Sequence, residues 1–139
     1  MSFKRTMTDF AQRTAMTLLF LCLTATVTWA DVENGETDEW AYSYDTSTKT
    51  VTLLKYKGSA TSVTTPTEIA GHPVTRVGDA CFIKNYTAVN QTLKSVVVSE
   101  GVLRLENYSF YECKALTSIE LPNSLTSIGK YAFDNSGLT

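Results

Sequence analysis

The sequence predicts a solenoid of about three stacked repeats, made mostly of short β-strands with short helical or 3-10 turns, behind an N-terminal β-hairpin. Two observations predict it. An apolar motif recurs every 23 residues in the second half of the chain, and residues 40–56 alternate with a period of two. A single short repeat cannot cover its own apolar face, so recurrence at this spacing indicates stacking.

Residues 1–30 have the composition of a secretory signal peptide. Basic residues precede an apolar run over 15–25, and the small residues Thr28 and Ala30 suit cleavage after Ala30. The run is shorter than the roughly 20 apolar residues that span a bilayer. We therefore predict cleavage, with no membrane insertion afterwards; an uncleaved N-terminal anchor is the alternative.

The charge of the remaining 109 residues excludes one class of partner. Three of the twelve Lys and Arg residues and one of the fourteen Asp and Glu residues lie in the first thirty, which leaves nine against thirteen and a net charge of −4. No basic cluster is present, so nucleic-acid binding is not expected. This length suits one small domain.

The mature chain is predicted to begin with a leader and a cap. Residues 31–39 are acidic and polar, too poor in apolar side chains to offset the entropy of ordering, and are expected to be flexible. In residues 40–59, apolar and polar side chains alternate on both sides of the turn Asp45–Thr48, a pattern that predicts a β-hairpin. Trp40 and its neighbouring tyrosines would cover the first repeat, because a repeat array needs a cap.

Three aligned segments define the repeats. "VTRVGDACF" from Val74, "VLRLENYSF" from Val102 and "LTSIGKYAF" from Leu125 place apolar residues at their first, fourth and ninth positions. The first repeat is longer because it carries two polar insertions, which a surface loop tolerates. The predicted boundaries are about 60–92, 93–115 and 116–137, with the start of a fourth repeat at 138.

The third repeat shows how one unit is built. Ile119 and Leu121 are expected to share the inner face of a short strand, which Pro122 ends because proline has no N–H to donate. Gly129 suits a turn of positive φ, and Phe133 is expected to point inward.

These residues resemble the BspA-type leucine-rich repeat, whose unit is L-x-x-I-x-L-P-x-x-L/V-x-x-I-G-x-x-A-F-x-x-C. The resemblance covers residues 60–139 in outline and is strongest in "LTSIELPNSLTSIGKYAF"; the second repeat departs from it at Ser99, Glu106 and Ser109. It implies an α/β leucine-rich-repeat solenoid over residues 40–139, with 40–59 resembling the hairpin that often opens such arrays.

The resemblance also implies a function. Members of the family are associated with adhesion to host or extracellular-matrix proteins and to other microbes. The implied role is a secreted or cell-surface binding module without catalytic activity, with a protein or glycan as partner. The alternative is a structural spacer, or the N-terminal fragment of a larger surface protein whose activity lies downstream.

The exposed strand positions are the candidate binding residues, because solenoids bind through extended faces. A group of four tyrosines near the other side of the coil is the second candidate, but these residues are expected to be half-buried packing residues rather than a binding site. The predicted binding face comprises Lys94, Ser95, Val97, Thr117, Ser118 and Glu120, and the tyrosines are Tyr86, Tyr108, Tyr111 and Tyr131.

No catalytic, cofactor or metal site is predicted. His72 lies in an expected turn without a nucleophile at motif spacing, and one histidine with two distant cysteines cannot close a zinc site. Cys81 and Cys113 occupy different positions in the repeat, which favours two buried thiols over a disulfide. Sequons for glycosylation occur at Asn85, Asn90 and Asn107.

Overall fold

The structure is a computed structural model that describes residues 32–83 and 91–139. Within these residues the secondary structure consists of strands and turns. The strands are β1 Val32–Glu36, β2 Trp40–Asp45, β3 Thr50–Tyr56, β4 Ser62–Thr64, β5 Glu68–Ile69, β6 His72–Val77, β7 Ser95–Val97, β8 Arg104–Leu105, β9 Ser118–Glu120 and β10 Ser127–Ile128.

The strands form two sheets. The seven-stranded sheet has the order β1-β2-β3-β6-β8-β10, with β5 beside β6, and the three-stranded sheet has the order β4-β7-β9. Strands from different repeats pair in parallel, whereas the pairs β1-β2, β2-β3 and β5-β6 are antiparallel. Side chains of both sheets meet in one apolar core.

The predicted helical or 3-10 turns are not found in the described residues. After β8 the chain turns through Tyr108 and Glu112, both with left-handed backbone angles (φ 56° and 57°). The same angles recur one repeat later at Tyr131 and Asn135 (φ 58° and 54°). A left-handed residue at every fourth position interrupts a right-handed helix, so each segment remains a series of turns.

A column of phenylalanine rings passes through the coils. Phe82 stacks on Phe110 at 4.6 Å between ring centroids, and Phe110 stacks on Phe133 at 5.4 Å, with interplanar angles of 17° and 12°. Backbone hydrogen bonds follow the rings, since Phe82 N donates to Ser109 O at 3.0 Å and Phe110 N to Ala132 O at 2.8 Å. The coils are therefore joined at their turns as well as at their strands.

The hairpin of β2 and β3 closes the N-terminal end of this column. The Trp40 and Tyr56 rings lie 5.7 and 5.6 Å from the Phe82 ring, and both side chains are buried. β3 pairs in parallel with β6, so the hairpin continues the sheet of the coils. Aromatic side chains thus cover the first coil.

Within the leader predicted to be flexible over residues 31–39, the structure places residues 32–36 in strand β1, and residue 31 lies outside the described residues. β1 pairs antiparallel with β2 along its whole length, from Val32 opposite Asp45 to Glu36 opposite Ala41. Most of its side chains are exposed, so the sequence carries no burial signal. The strand forms because its backbone satisfies the open edge of β2, an interaction that polar side chains do not prevent.

Gly129 is required because its coil lies close to the preceding one. It does not adopt the positive φ predicted for it. Positive φ is found at Gly71 and Gly101 and, in this turn, at Tyr131. A Cβ atom on Gly129 would lie 2.6 Å from the Asn107 backbone nitrogen of the preceding coil. The glycine therefore lets two coils approach each other.

We expect Gly129→Ala to destabilise the fold by about 1–3 kcal/mol, the usual cost of forcing extra atoms into a packed site. The measurement is the free energy of unfolding by urea titration. Lys130→Ala is the matched control, because this neighbouring side chain is exposed. Equal stability of the two variants would contradict the close approach of the coils.

The turn between β2 and β3 depends on one carboxylate. Asp45 Oδ1 accepts hydrogen bonds from Ser47 Oγ at 2.6 Å, Ser47 N at 2.9 Å and Thr48 N at 3.0 Å. These bonds, that of the Ser47 hydroxyl foremost, lower the pKa of Asp45 to about 2. A lowered carboxyl pKa stabilises the fold above the ordinary value near 4 and ceases to do so as pH falls through the folded-state value.

We expect Asp45→Asn to melt below the unsubstituted chain at pH 6, and the difference to shrink as pH falls from about 4 to about 2. Thermal melts across this range measure it. A difference in melting temperature that stays constant down to pH 2 would show that the carboxylate charge does not support the turn.

Candidate binding surface

The outer face of the three-stranded sheet contains the predicted binding residues. Ser62, Ser95 and Ser118 lie in register across it. A second row runs beside them, in which Val97 pairs with Thr64 on one side and with Glu120 on the other. We call this surface the three-strand face.

The two other predicted residues, Lys94 and Thr117, directly precede β7 and β9. Both are exposed, and the carbonyl oxygen of Lys94 accepts from Thr117 N at 2.9 Å and from Thr117 Oγ1 at 3.4 Å. The structure therefore brings all six predicted residues to one side of the coils, because corresponding positions of a repeat lie beside one another in a parallel sheet.

Hydroxyl groups dominate the chemistry of the three-strand face. Ser95 Oγ donates to Ser62 Oγ at 2.7 Å, so neighbouring coils are also linked through side chains. Lys94 and Glu120 provide one charge of each sign, and both are exposed. The face can donate and accept hydrogen bonds over three coils with little net charge.

The tyrosines form a second exposed surface, contrary to the expectation of half-buried packing. The Tyr108 and Tyr131 side chains are 42% and 58% exposed, and their rings stack at 5.3 Å and 20°. Tyr111 is half-buried and meets Tyr108 edge-on at 5.4 Å. Phe110 and Phe133 take the interior positions, which leaves Tyr108 and Tyr131 outside. Tyr86 lies outside the described residues.

Two arginines lie side by side on neighbouring strands of the seven-stranded sheet, which was not predicted from the sequence. Arg76 pairs with Arg104, which pairs with Ser127. Arg76 Nη1 lies 3.9 Å from Glu106 Oε1, and Arg104 Nε donates to Ser127 Oγ at 3.1 Å. The sequence contained a signal for this arrangement. In "VTRV" (74–77) and "VLRL" (102–105) the first and last residues are buried, so the two middle residues lie on the outer side, and the second of them is an arginine.

Both cysteines are free, buried thiols. Burial raises the pKa of Cys113 to about 12 and the pKa of Cys81 further still. Cys113 Sγ lies 3.9 Å from the carbonyl oxygen of Phe82. The disulfide left open by the sequence is therefore not formed, and neither thiol is suited to act as a nucleophile near neutral pH.

His72 and Asn107 both lie in the part of the chain that the structure describes. His72 begins β6, is half-buried, and stacks on Tyr44 at 4.2 Å between ring centroids. Asn107 is exposed, and its Oδ1 accepts from Lys130 N at 2.9 Å. Asn85 and Asn90 lie outside the described residues.

The described residues also bear on metal binding and on membrane crossing. In residues 32–83 and 91–139, no three His, Cys, Asp or Glu side chains gather closely enough to hold a metal ion. The same part of the chain contains no helix that is long and apolar enough to cross a membrane.

Comparison with known families confirms the resemblance. Residues 81–139 match a family model described as "BspA type Leucine rich repeat region (6 copies)". Over these residues the chain is similar to BspA-type leucine-rich repeats. No curated protein matches the chain.

Three solved structures show a similar fold. The leucine-rich repeat protein of T. pallidum is 24% identical with a TM-score of 0.64, and the alignment covers 74% of this chain and 46% of that one. A leucine rich cell surface protein of Faecalibacterium prausnitzii is 22% identical with a TM-score of 0.64, covering 74% and 28%. A leucine-rich repeat protein of Bacteroides capillosus is 16% identical with a TM-score of 0.58, covering 74% and 91%.

The first two of these proteins are much longer than the region they share with this chain, which aligns with less than half of each. At these identities the likeness concerns the fold. It supports the strand-rich stack of coils, and leucine-rich repeat folds of this kind commonly bind proteins through an extended face.

We expect Cys81 and Cys113 to resist a thiol reagent such as DTNB at pH 8 in the folded chain and to react on unfolding, because the thiolate is the reactive form. Absorbance of the released thiol with and without 6 M guanidinium measures this. Rapid labelling of the folded chain, corrected for Cys22 where the N-terminal segment is retained, would contradict the burial of both thiols.

Proposed function

We propose that this protein is a non-catalytic binding module, secreted or held at the cell surface, that recognises a protein or glycan through the three-strand face. The observation that carries the proposal is the register of Ser62, Ser95 and Ser118, which aligns exposed positions of three coils in one continuous surface. A surface location is supported by the F. prausnitzii protein of similar fold, which is described as a cell surface protein.

The chemistry of the face suits a ligand rich in hydrogen-bonding groups. Its serine and threonine hydroxyls both donate and accept, and Lys94 and Glu120 can each pair with an opposite charge. The backbone beneath is already bonded within the sheet, so the face presents side chains on a rigid support. Rigid elements lose little entropy on binding.

The proposal includes the absence of catalytic activity. It is supported by the surroundings of the three described side chains most suited to catalysis. The Cys81 and Cys113 thiols are buried with raised pKa values, and the His72 ring stacks on Tyr44. Acyl and phosphoryl transfer need a nucleophile in reach of a base. These three side chains do not form such a pair.

A matched pair of variants tests the face. Thr117 and Thr126 are both exposed residues of the third coil, and each hydroxyl donates to a carbonyl of the second coil, Lys94 O at 3.4 Å and Leu103 O at 2.9 Å. Thr117 lies beside the three-strand face and Thr126 precedes β10 in the other sheet. Replacing either threonine by arginine removes a similar hydrogen bond between coils, but the larger side chain obstructs a different surface in each case.

We expect the purified chain to bind at least one member of an array of matrix proteins and glycans, and Thr117→Arg to weaken that binding about tenfold or more, while Thr126→Arg leaves it unchanged. Surface plasmon resonance on the array hit gives the dissociation constants. A folded chain that binds nothing would overturn the binding role, and equal binding by both variants would overturn the face.

A second candidate is a structural spacer within a longer surface protein. It is favoured by the comparison with the T. pallidum and F. prausnitzii proteins, of which this chain covers 46% and 28%. A spacer would show no ligand in the same array. The gene sequence downstream of Thr139 would then be expected to encode the active region.

A further inference from the structure

The outer face of the seven-stranded sheet carries a row of polar side chains that crosses six strands. Each member is the direct register partner of the next, from β1 through β2, β3, β6 and β8 to β10. The side chains point away from the core, because neighbouring residues of their strands, such as Leu53, Val77 and Leu105, are buried. We call this set the arginine row, and it comprises Asn34, Ser43, Thr52, Arg76, Arg104 and Ser127.

The two arginines lie at the centre of the row and are its charged members. Arg76 and Arg104 are exposed and directly opposite each other, at the strand spacing of about 4.8 Å. Like charges that face each other across two strands destabilise a sheet. An anion bound between the two guanidinium groups replaces this repulsion by charge-assisted hydrogen bonds.

The contacts within the protein leave both guanidinium groups able to bind an anion. Arg76 Nη1 lies 3.9 Å from Glu106 Oε1, which is longer than a hydrogen bond, and the Arg76 side chain is 49% exposed. Arg104 Nε donates to Ser127 Oγ at 3.1 Å, which orients the guanidinium group without neutralising it. A guanidinium group has five N–H donors, so most of them remain for a ligand.

The spacing of the row suits a carbohydrate chain better than a peptide. Its members recur at about 4.8 Å across the strands, which is close to the length of one pyranose unit in an extended polysaccharide. An extended peptide advances about 3.3 Å per residue, so its side chains do not stay in step with the row. A polysaccharide that lies across the strands places about one sugar over each of them.

The residues on both sides of the arginines also suit a sugar. Asn34, Ser43 and Thr52 lie on one side and Ser127 on the other, and each has an uncharged side chain that donates and accepts hydrogen bonds. Sugar hydroxyls donate and accept as well, so they complement these groups. Residues 31–139 carry nine positive and thirteen negative charges, which disfavours a densely charged polyanion such as a nucleic acid.

We propose that the arginine row binds an acidic polysaccharide, which lies across the six strands with a carboxylate or sulfate group between Arg76 and Arg104. This surface belongs to a different sheet from the three-strand face and shares no residue with it. The arginines select the charge of the ligand, and the neutral members of the row extend the contact to neighbouring sugars.

Hexasaccharides of equal length test the charge. We expect the purified chain to bind hexagalacturonate, which bears carboxylates, or a carrageenan hexasaccharide, which bears sulfates, at least about tenfold more tightly than neutral cellohexaose. Isothermal titration calorimetry gives the dissociation constants, and the tighter of the two acidic ligands identifies the anion. Binding of neither acidic ligand, or equal binding of all three, would overturn the proposal.

Variants that remove one charge test the arginines. Arg76→Gln and Arg104→Gln should each weaken binding of the acidic hexasaccharide about tenfold, because each removes charge-assisted hydrogen bonds. Lys130→Gln removes an equal charge from an exposed residue outside both sheets and should leave binding unchanged. An equal loss in all three variants, or full affinity in either arginine variant, would show that the ligand does not lie on the row.

Ligand length tests the row as a whole. Affinity should rise from the acidic monosaccharide through the trisaccharide to the hexasaccharide, and Thr52→Val should reduce this gain because it removes a hydroxyl and keeps the shape of the side chain. A monosaccharide that binds as tightly as the hexasaccharide would overturn the row. Circular dichroism confirms that each variant is folded. Binding at the three-strand face responds to Thr117→Arg instead, so failure of one surface is distinguishable from failure of the other.

Discussion

The structure depends on the packing of each coil against the next. One coil of about 23 residues has an apolar interior without a second layer, so its side chains leave water only when a neighbour covers them. Phe110 shows this best, since its buried ring lies between Phe82 and Phe133. Backbone hydrogen bonds at the strands and turns then set the spacing that these rings require.

This constraint also determines where function can reside. Inward side chains are buried in the core around the column of phenylalanine rings, so only outward side chains can contact a partner. These outward positions lie in register from one coil to the next. The three-strand face and the arginine row on the opposite sheet both follow from this geometry. The serines form a weakly charged surface that suits hydrogen bonding, whereas Arg76 and Arg104 bring two like charges side by side, with Glu106 near the first and Ser127 bonded to the second.

The same constraint explains the two ends of the stack. At the N-terminal end the pattern of coils gives way to a hairpin whose aromatic residues cover the first interior. At the other end, residues that are buried in the second coil become exposed in the third, as the change from Val98 to Leu121 shows.

The sequence by itself determined the repeat, the strand-rich part of the predicted fold class and the hairpin, because each follows from which side chains recur at a fixed spacing; the predicted helical turns were not found in the described residues. Tertiary structure decided the rest. It ordered β1, whose polar side chains gave no signal, through backbone pairing with β2. It also placed Gly129 against Asn107 and exposed Tyr108 and Tyr131. These outcomes depend on what the neighbouring coil or strand provides, and local periodicity contains no information about that neighbour.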